Sequence, residues 1–392
     1  MSERAIVLID GEHYAPVVRD ALEGLPYDVV GALLVGGTEK LRGDDEYGAP
    51  LVRALDEMPA DLVVDLSDEP VLGPRERLFW ASRALALGLP YVGADFRFDP
   101  PRYHPFELPS LAVVGTGKRI GKTAVTGHVA RLLARDRDVV VVAMGRGGPP
   151  EPEVLRAPPT VAELVELARS GRHAASDHLE TAALVGVPTV GCRRAGGGMA
   201  GAPFDSNVLE GARVAASLGP DVVVFDGSGA AIPPIAADVR VLVAHDLSGL
   251  NAYRALVSDV VLAASEEVAE AARALGRPTI RFSLRLRPVE PLEGRVAVFT
   301  TGPAPVAHLD ADVVFCSRSL ARRDELEAQL ETLDADTYLV ELKAAAIDLV
   351  AEDALARGRR VVLAENEVVP LPGEPDLDAF LLDRLAPPGS RT

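Results

Sequence analysis

The sequence predicts a multi-domain α/β protein with mainly parallel sheets. Short runs rich in Val, Ile and Leu alternate with helical patterns along the chain, which is typical of parallel strands linked by crossover helices. The 392 residues and the apolar content of 48% allow more than one buried core. We therefore expect a central domain with a parallel sheet, flanked by two smaller Rossmann-like α/β domains.

The first predicted domain covers residues 1–104. Strands are expected at 5–9, 29–35, 62–66 and from 91–92, and helices at 14–22 and 75–87. Three prolines within residues 99–105 place the boundary there, because neither a helix nor a central strand tolerates them. Ligands of open α/β sheets gather at the carboxyl ends of strands. The candidate substrate residues at these ends are Asp10, His13, Gly37 and Lys40.

The other two predicted domains cover residues 105–290 and 291–392. Strands are expected at 111–114, 138–144, 189–191, 221–226 and 239–244, and then at 296–300, 313–316, 337–341 and 360–364. Residues 279–287 alternate apolar side chains with Arg281, Arg285 and Arg287. A solvated edge strand is the favoured interpretation of this alternation, and a phosphate-facing surface is the alternative.

Charge and composition exclude several classes of protein. A formal net charge of −18 argues against a broad surface for nucleic acid or anionic membrane. The N-terminus lacks the long apolar run of a signal peptide, and no apolar run has membrane-spanning length. Cys192 and Cys316 form no paired spacing, which fits a reducing compartment. We expect a cytoplasmic protein, and a homodimer, that binds neither nucleic acid nor membrane.

Lysine is rare in this chain, and its positions are informative. Of the 40 basic residues only four are lysines, namely Lys40, Lys118, Lys122 and Lys343. Lysine should persist chiefly where a planar guanidinium cannot replace a compact ammonium group. Two of the four fall in one nine-residue loop. For Lys343 the sequence leaves a site role and a surface role open.

Residues 115–123 have the pattern of a phosphate-binding loop. They lie between a buried-type strand and an amphipathic helix, which is the context that such a loop requires. Glycines let backbone amides surround phosphate oxygens, the lysine before the helix neutralises the transferring phosphate, and the following hydroxyl can ligate Mg²⁺. The predicted ATP-binding residues are Gly115, Thr116, Gly117, Lys118, Arg119, Gly121, Lys122 and Thr123.

A second acidic group is expected at the end of a neighbouring strand. Asp226 closes the apolar run 221–226 and is followed by Gly227 and Gly229, which allow a close backbone approach to a ligand, so we predict that Asp226 and Thr123 hold Mg²⁺. Asp226 as a simple turn former is the alternative. Arg146 follows the strand at 138–144, where a phosphate-facing turn and a plain turn are equally open.

Two adjacent arginines indicate a second anion site. Arg193 and Arg194 precede three glycines, and guanidinium groups match phosphate oxygens in a bidentate manner. A flexible phosphate-binding loop is favoured over a solvated loop. The predicted catalytic set is then Lys118, Lys122, Arg193, Arg194 and Asp226.

With these residues in hand, the chain resembles the cyclic 2,3-diphosphoglycerate synthetase family. The resemblance rests on the segments 9–14, 114–123 and 226–231 and spans roughly residues 4–370. The loop form Gly-Thr-x-x-x-x-Gly-Lys-Thr is also similar to that of dethiobiotin synthetase. The resemblance implies that ATP joins the two phosphates of 2,3-diphosphoglycerate into a cyclic anhydride, releasing ADP and phosphate. From the candidate residues of the two domains, we expect a doubly phosphorylated small acid to bind between the central and N-terminal domains.

Two alternatives stay open at this point. One is a kinase that acts on 2-phosphoglycerate or a related phosphorylated acid. The other is an ATPase regulated by a protein partner, as in cell-division positioning ATPases. The loop of those ATPases has a lysine five residues before the last one, whereas here that position is Gly117 and Lys118 lies one later. This offset weakens the second alternative.

Overall fold

The computed structural model describes residues 2–36, 46–171, 174, 176–343 and 345–385. Helices and strands alternate along the described chain, and most strand pairs are parallel, as the sequence predicts. The strands are β1 (Arg4–Ile9), β2 (Asp28–Leu34), β3 (Leu51–Val52), β4 (Leu62–Asp65), β5 (Tyr91–Val92), β6 (Arg97–Phe98), β7 (His104–Pro105), β8 (Ser110–Gly115), β9 (Val139–Gly145), β10 (Glu153–Leu155), β11 (Thr189–Ala195), β12 (Asp205–Ser206), β13 (Val222–Asp226), β14 (Ile235–Ala236), β15 (Val239–Ala244), β16 (Val260–Ala263), β17 (Thr279–Pro288), β18 (Arg295–Phe299), β19 (Asp312–Ser317), β20 (Thr337–Glu341) and β21 (Arg360–Pro370).

The helices connect these strands and cover the faces of the sheets. They are α1 (Ala15–Glu23), α2 (Pro74–Ala86), α3 (Lys122–Leu133), α4 (Val161–Arg169), α5 (Asp177–Val185), α6 (Val208–Ser217), α7 (Asn251–Leu256), α8 (Glu266–Ala274), α9 (Arg323–Glu331), α10 (Glu352–Ala356) and α11 (Leu377–Arg384). A π-helical turn, Ala346–Ala351, runs directly into α10.

The N-terminal strands form their own sheet, in the order β3-β2-β1-β4-β5-β6. Its central strand β1 is apolar and almost completely buried, because parallel strands are covered on both faces. Helix α2 packs this unit against α7 of the next one, and Ser82 Oγ donates a hydrogen bond to the carbonyl oxygen of Gly249 at 3.3 Å. The two units share one hydrophobic core around Tyr91 and Tyr253.

The second sheet runs without a break through the central and C-terminal segments. Its order is β10-β11-β9-β13-β8-β15-β16-β17-β21-β20-β18-β19, with β12 paired to β11. The link is the antiparallel pairing of β17 with β21, which extends from Phe282 opposite Pro370 to Pro288 opposite Ala364. Backbone hydrogen bonds therefore hold the C-terminal segment to the central one.

Strand β17 corrects the prediction of a solvated edge. It pairs with β16 on one side and with β21 on the other, so it lies inside the sheet. Its arginines form ion pairs with acidic side chains: Arg281 pairs with Glu374, Arg285 with Glu367, and Arg287 with Glu365. The alternation that indicated exposure comes from this row of ion pairs, whose acidic partners lie about 80 residues later.

Strand β11 corrects a second prediction, that of a flexible loop at residues 191–198. The expected strand at 189–191 continues to Ala195, and its last residues pair with β12, with Arg194 opposite Ser206. Neighbouring side chains on a strand point to opposite faces. Arg193 is consequently exposed, whereas Arg194 is buried.

Candidate active site

The predicted phosphate loop joins β8 to α3, as the sequence pattern requires. Gly121 begins the helix with φ of 93°, a left-handed conformation that favours glycine. A methyl group there would also lie 3.0 Å from Cδ1 of Leu284 on β17. Lys122 Nζ donates to the carbonyl oxygen of Gly117 at 2.9 Å, and Thr116 Oγ1 accepts from the amide of His245 at 3.2 Å. These contacts fix the loop at the carboxyl edge of the sheet.

A cavity of about 630 Å³ opens beside this loop. Seven of the sixteen predicted site residues line it, namely Lys118, Arg119, Gly121, Lys122, Thr123, Arg146 and Asp226. Gly115 lies behind the loop, where a methyl group would come within 2.7 Å of Cδ of Lys122 and of Cδ1 of Ile120. The close approach of the Lys122 stem therefore explains a glycine at position 115.

Asp226 is a buried carboxylate at the end of β13, the strand next to β8. Burial raises the pKa of Asp226 to about 7, and the ammonium of Lys122 opposes this rise. The Asp226 Oδ1 atom is buried and lacks a hydrogen-bond partner among the described residues. Burial lowers the pKa of Lys122, while Asp226 and Asp177 favour its charged form. In the free protein, the neighbouring groups therefore only partly compensate the charges of Asp226 and Lys122.

Helix α5 brings two carboxylates that the sequence analysis did not select, Asp177 and Glu180. Burial raises the pKa of Glu180 to about 7, against the opposing effect of Lys343. The ion pair between Lys343 Nζ and Glu180 Oε1 is long, at 3.8 Å. The scarcity of lysine was the one sequence signal that could single out Lys343, but no local pattern could place it beside α5.

Two guanidinium groups and the stem of a lysine lie beside Gly229, which lines the cavity. A methyl group at Gly229 would lie 3.0 Å from Nη2 of Arg146, 3.4 Å from Nη2 of Arg194 and 3.8 Å from Cγ of Lys118. Arg194 is held by hydrogen bonds to the carbonyl oxygens of Gly196 at 2.6 Å and Ser228 at 2.9 Å. Burial, followed by the charge of Arg146, lowers the pKa of Arg194. This cluster, Lys118, Arg146 and Arg194, is suited to bind an anion.

Other predicted residues lie away from this cavity. Arg193 does not line it, because its side chain leaves the opposite face of β11. Asp10 and His13 border a separate cavity of about 200 Å³ in the N-terminal unit. Burial opposes ionisation of Asp10, but hydrogen bonds with His13 and with the amides of Glu12 and Asp68 lower its pKa. Gly37 and Lys40 lie outside the described residues.

The C-terminal segment forms the second wall of the larger cavity, whereas binding of the acid between the central and N-terminal units stays a prediction. The wall consists of residues 301–305, 341–343 and 364–366. Glu341 fixes it by accepting hydrogen bonds from the amide of Thr301 at 2.8 Å and from Asn366 Nδ2 at 2.9 Å. Sequence patterns show where strands end, but they do not show that the pairing of β17 with β21 turns this segment toward the loop.

Glu365 further joins this wall to the phosphate-loop helix. Its buried carboxylate contacts Arg131 of α3, with Nη1 to Oε2 at 2.6 Å, and also Arg287 of β17. One carboxylate therefore bridges the central and C-terminal segments next to the cavity. The phosphate loop of α3 and the second wall are held in a fixed relation by this contact.

These features define the class of protein to which the chain belongs. A phosphate loop between β8 and α3, with a carboxylate at the end of the adjacent strand, is the arrangement of P-loop nucleotide-binding enzymes. Three family models match in chain order: the N-terminal domain of cyclic 2,3-diphosphoglycerate synthetase at residues 4–99, its P-loop domain at 110–268 and its C-terminal domain at 288–367. The chain belongs to the cyclic 2,3-diphosphoglycerate synthetase family.

Curated relatives support the same assignment over nearly the full chain. A cyclic 2,3-diphosphoglycerate synthetase of Rubrobacter xylanophilus is 48% identical, covering 93% of this chain and 94% of the relative. The synthetase of Pyrococcus abyssi is 38% identical, covering 94% of this chain and 95% of the relative. The synthetase of Methanothermobacter thermautotrophicus is also 38% identical, covering 96% of this chain and 94% of the relative. Membership and P-loop nucleotide binding, both predicted from the sequence, are thereby confirmed.

Two structural observations complete the comparison. A crystal structure of LpxK from Aquifex aeolicus in complex with ATP is 14% identical, with a TM-score of 0.47, covering 80% of this chain and 96% of that one. Within the described part of the chain, none of the helices is both long and apolar enough to cross a membrane.

Proposed function

We propose that this chain uses ATP to close 2,3-diphosphoglycerate to its cyclic anhydride, with release of ADP and inorganic phosphate. The observation that carries the proposal is the cavity lined by Lys122, Asp226, Lys118 and Arg146, with Arg194 next to Gly229 of its lining. ATP and a bisphosphorylated acid together carry a large negative charge. A cavity that combines a phosphate loop with a separate group of cations is suited to hold both.

The chemistry proceeds in two displacements. An oxygen of one substrate phosphate forms a bond to the γ-phosphorus of ATP while the bond from that phosphorus to the ADP oxygen breaks, and ADP leaves. An oxygen of the other substrate phosphate then attacks the phosphorus of the first, and inorganic phosphate leaves as the ring closes. Such transfers depend on positioning and on neutralised charge more than on a protein nucleophile.

The residues of the central segment take distinct roles in this proposal. Lys122 neutralises the transferring phosphoryl group. To do so, its ammonium group leaves the carbonyl oxygen of Gly117 and binds a phosphate oxygen instead. Lys118, Arg146 and Arg194 hold a phosphate of the acid and orient its oxygen for attack. The buried position of Arg194 and its two carbonyl partners keep its guanidinium in place before the substrate arrives.

Thr123 and Asp226 fit a magnesium site. The unpartnered, buried Oδ1 of Asp226 is an oxygen ligand of the kind that Mg²⁺ prefers, and Thr123 lines the same cavity. Clusters of three or more His, Cys, Asp or Glu suited to a metal are absent from the described residues, as expected for an ion held mainly by substrate phosphates and water. When bound, Mg²⁺ would neutralise phosphate oxygens of ATP.

A cytoplasmic location and a homodimer stay predictions of the sequence.

Phosphorus NMR of the purified enzyme with Mg-ATP and 2,3-diphosphoglycerate tests the proposal. We expect a cyclic anhydride signal that grows in step with ADP and inorganic phosphate, and no such signal with the Lys122→Ala variant. A product that keeps the added phosphoryl group, without free phosphate, would instead establish a kinase. ATP hydrolysis that is indifferent to phosphoglycerates and requires a protein partner would establish a regulated ATPase.

A further inference from the structure

Lys343 is a cation on the cavity wall formed by the C-terminal segment. It follows β20, and its side chain is 32% exposed, so its ammonium group can reach the cavity that it lines. It is the one lysine of this chain that lies beyond the central segment and the N-terminal unit. In a chain where arginine fills nearly all other basic positions, a compact and flexible ammonium is retained here.

The contacts of Lys343 leave room for a ligand. Its ion pair with Glu180 Oε1 is 3.8 Å long, whereas a close charge-assisted hydrogen bond measures about 2.8 Å. The attraction of Glu180, opposed by burial, raises the pKa of Lys343, so that it carries its charge at neutral pH. The neighbouring Glu341 is different, because Thr301 and Asn366 already bind its carboxylate. Glu341 therefore has a structural role in the wall, whereas the ammonium group of Lys343 has N–H donors that can bind a ligand.

The charges on the two walls require such a cation. Asp177, Glu180 and Asp226 all line the cavity, and each would repel a phosphate whenever it is ionised. Lys122 belongs to the phosphate loop, and the cluster at Gly229 lies on the central segment. The two phosphates of 2,3-diphosphoglycerate stand on adjacent carbons and repel each other, so each needs its own cation before they can be joined. The C-terminal wall supplies one.

We propose that Lys343 binds a phosphate of the acid substrate, exchanging its long contact with Glu180 for phosphate oxygens, so that the C-terminal segment completes the substrate site. This inference rests on the function proposed above and extends it to the C-terminal segment, whose role could not be predicted from sequence patterns. The cations at Gly229 hold one phosphate from the central side, and Lys343 holds the other from the opposite segment. The acid thereby lies between the central and C-terminal walls.

The test compares Lys343→Met, Lys343→Arg and a charge-matched control, Arg323→Gln, with the wild type. Arg323 lies on α9 of the same segment, and its exposed ion pair with Asp348 lies outside the cavity lining. Isothermal calorimetry measures 2,3-diphosphoglycerate and Mg-ATP separately, and steady-state rates give KM and kcat. A double variant, Lys343→Met with Glu180→Gln, removes the carboxylate that the single variant leaves unpaired and so protects the fold.

We expect Lys343→Met and the double variant to bind 2,3-diphosphoglycerate at least about tenfold more weakly, which corresponds to about 1.4 kcal/mol. Affinity for Mg-ATP should stay within about twofold, Lys343→Arg should recover part of the loss, and Arg323→Gln should match the wild type. An unchanged affinity for the acid in Lys343→Met and in the double variant, or an equal loss of affinity for Mg-ATP, would overturn this inference but not the proposed function. A wild-type enzyme that forms no cyclic product would overturn the proposed function, and a failure to bind the acid would overturn both.

Discussion

Replacing Glu180 by glutamine gives a quantitative test of the electrostatics of the cavity. Burial raises the pKa of Glu180 from its ordinary 4.5 to about 7. Between these two values the folded chain keeps a proton that the unfolded chain has released, so the free energy of unfolding falls as the pH rises. The two pKa values differ by about 2.5, which corresponds to about 3 kcal/mol at about 1.4 kcal/mol per unit.

Glutamine has nearly the same shape as glutamate and does not titrate, so the variant lacks this contribution to the pH dependence. We expect the stability of Glu180→Gln relative to wild type to rise by about 2 kcal/mol from pH 5.5 to pH 8, the part of the 3 kcal/mol that falls in this range. Above pH 7 the difference should level off. Urea unfolding followed by circular dichroism, without nucleotide or divalent metal, measures it.

A matched control separates this effect from a general response to losing a carboxylate. Glu267→Gln makes the same substitution at an exposed position on α8, where the side chain is in water in both the folded and the unfolded chain. Its stability relative to wild type should change little between pH 5.5 and pH 8. A flat difference for Glu180→Gln, like that of the control, would refute the assignment of a buried, proton-holding carboxylate beside the phosphate loop.

Three further predictions concern the loop and its supports. Lys122→Ala should lower the rate of phosphate release by about a thousandfold, since the loop loses its neutralising ammonium, and a loss below tenfold would contradict its role. Gly115→Ala should weaken ATP binding in calorimetry at least about tenfold, because the new methyl group would meet the Lys122 stem at 2.7 Å; wild-type affinity would show that the stem can move aside. Glu365→Ala should lower the free energy of unfolding, measured with urea, by about 2 kcal/mol. This is less than the loss expected for a fully buried ion pair, because Arg131 and Arg287 are partly exposed. An unchanged free energy of unfolding would mean that the bridge between the segments contributes nothing to stability.

Local signals in the sequence were sufficient for the phosphate loop. A buried strand, glycines at fixed positions and an amphipathic helix are all contained within about thirty residues, and their physical requirements leave few alternatives. Asp226 could be found in the same way, because the end of a neighbouring parallel strand is where such a carboxylate must lie. The α/β class followed from the alternation of apolar runs and helices.

The second wall of the cavity could not be predicted, because it depends on contacts between distant residues. Arg285 and Glu367 are separated by 82 positions, and ion pairs of this kind compensate the arginines of an alternating segment that lies inside a sheet. Asp177, Glu180 and Lys343 have no distinctive spacing, and they meet only after this pairing forms. Arg193 and Arg194 were grouped because they are adjacent in sequence, yet strand geometry sends them to opposite faces.

The antiparallel pairing of β17 with β21 also has a consequence for synthesis on the ribosome. Strand β17 ends at Pro288, and its partner β21 begins only at Arg360, so the partner emerges after more than seventy further residues have been translated. At about 5–20 residues per second, the nascent chain carries an unpaired strand edge for several seconds. Edges of this kind attract other chains. Its row of arginines keeps that edge charged and soluble until the acidic partner strand arrives to cover it.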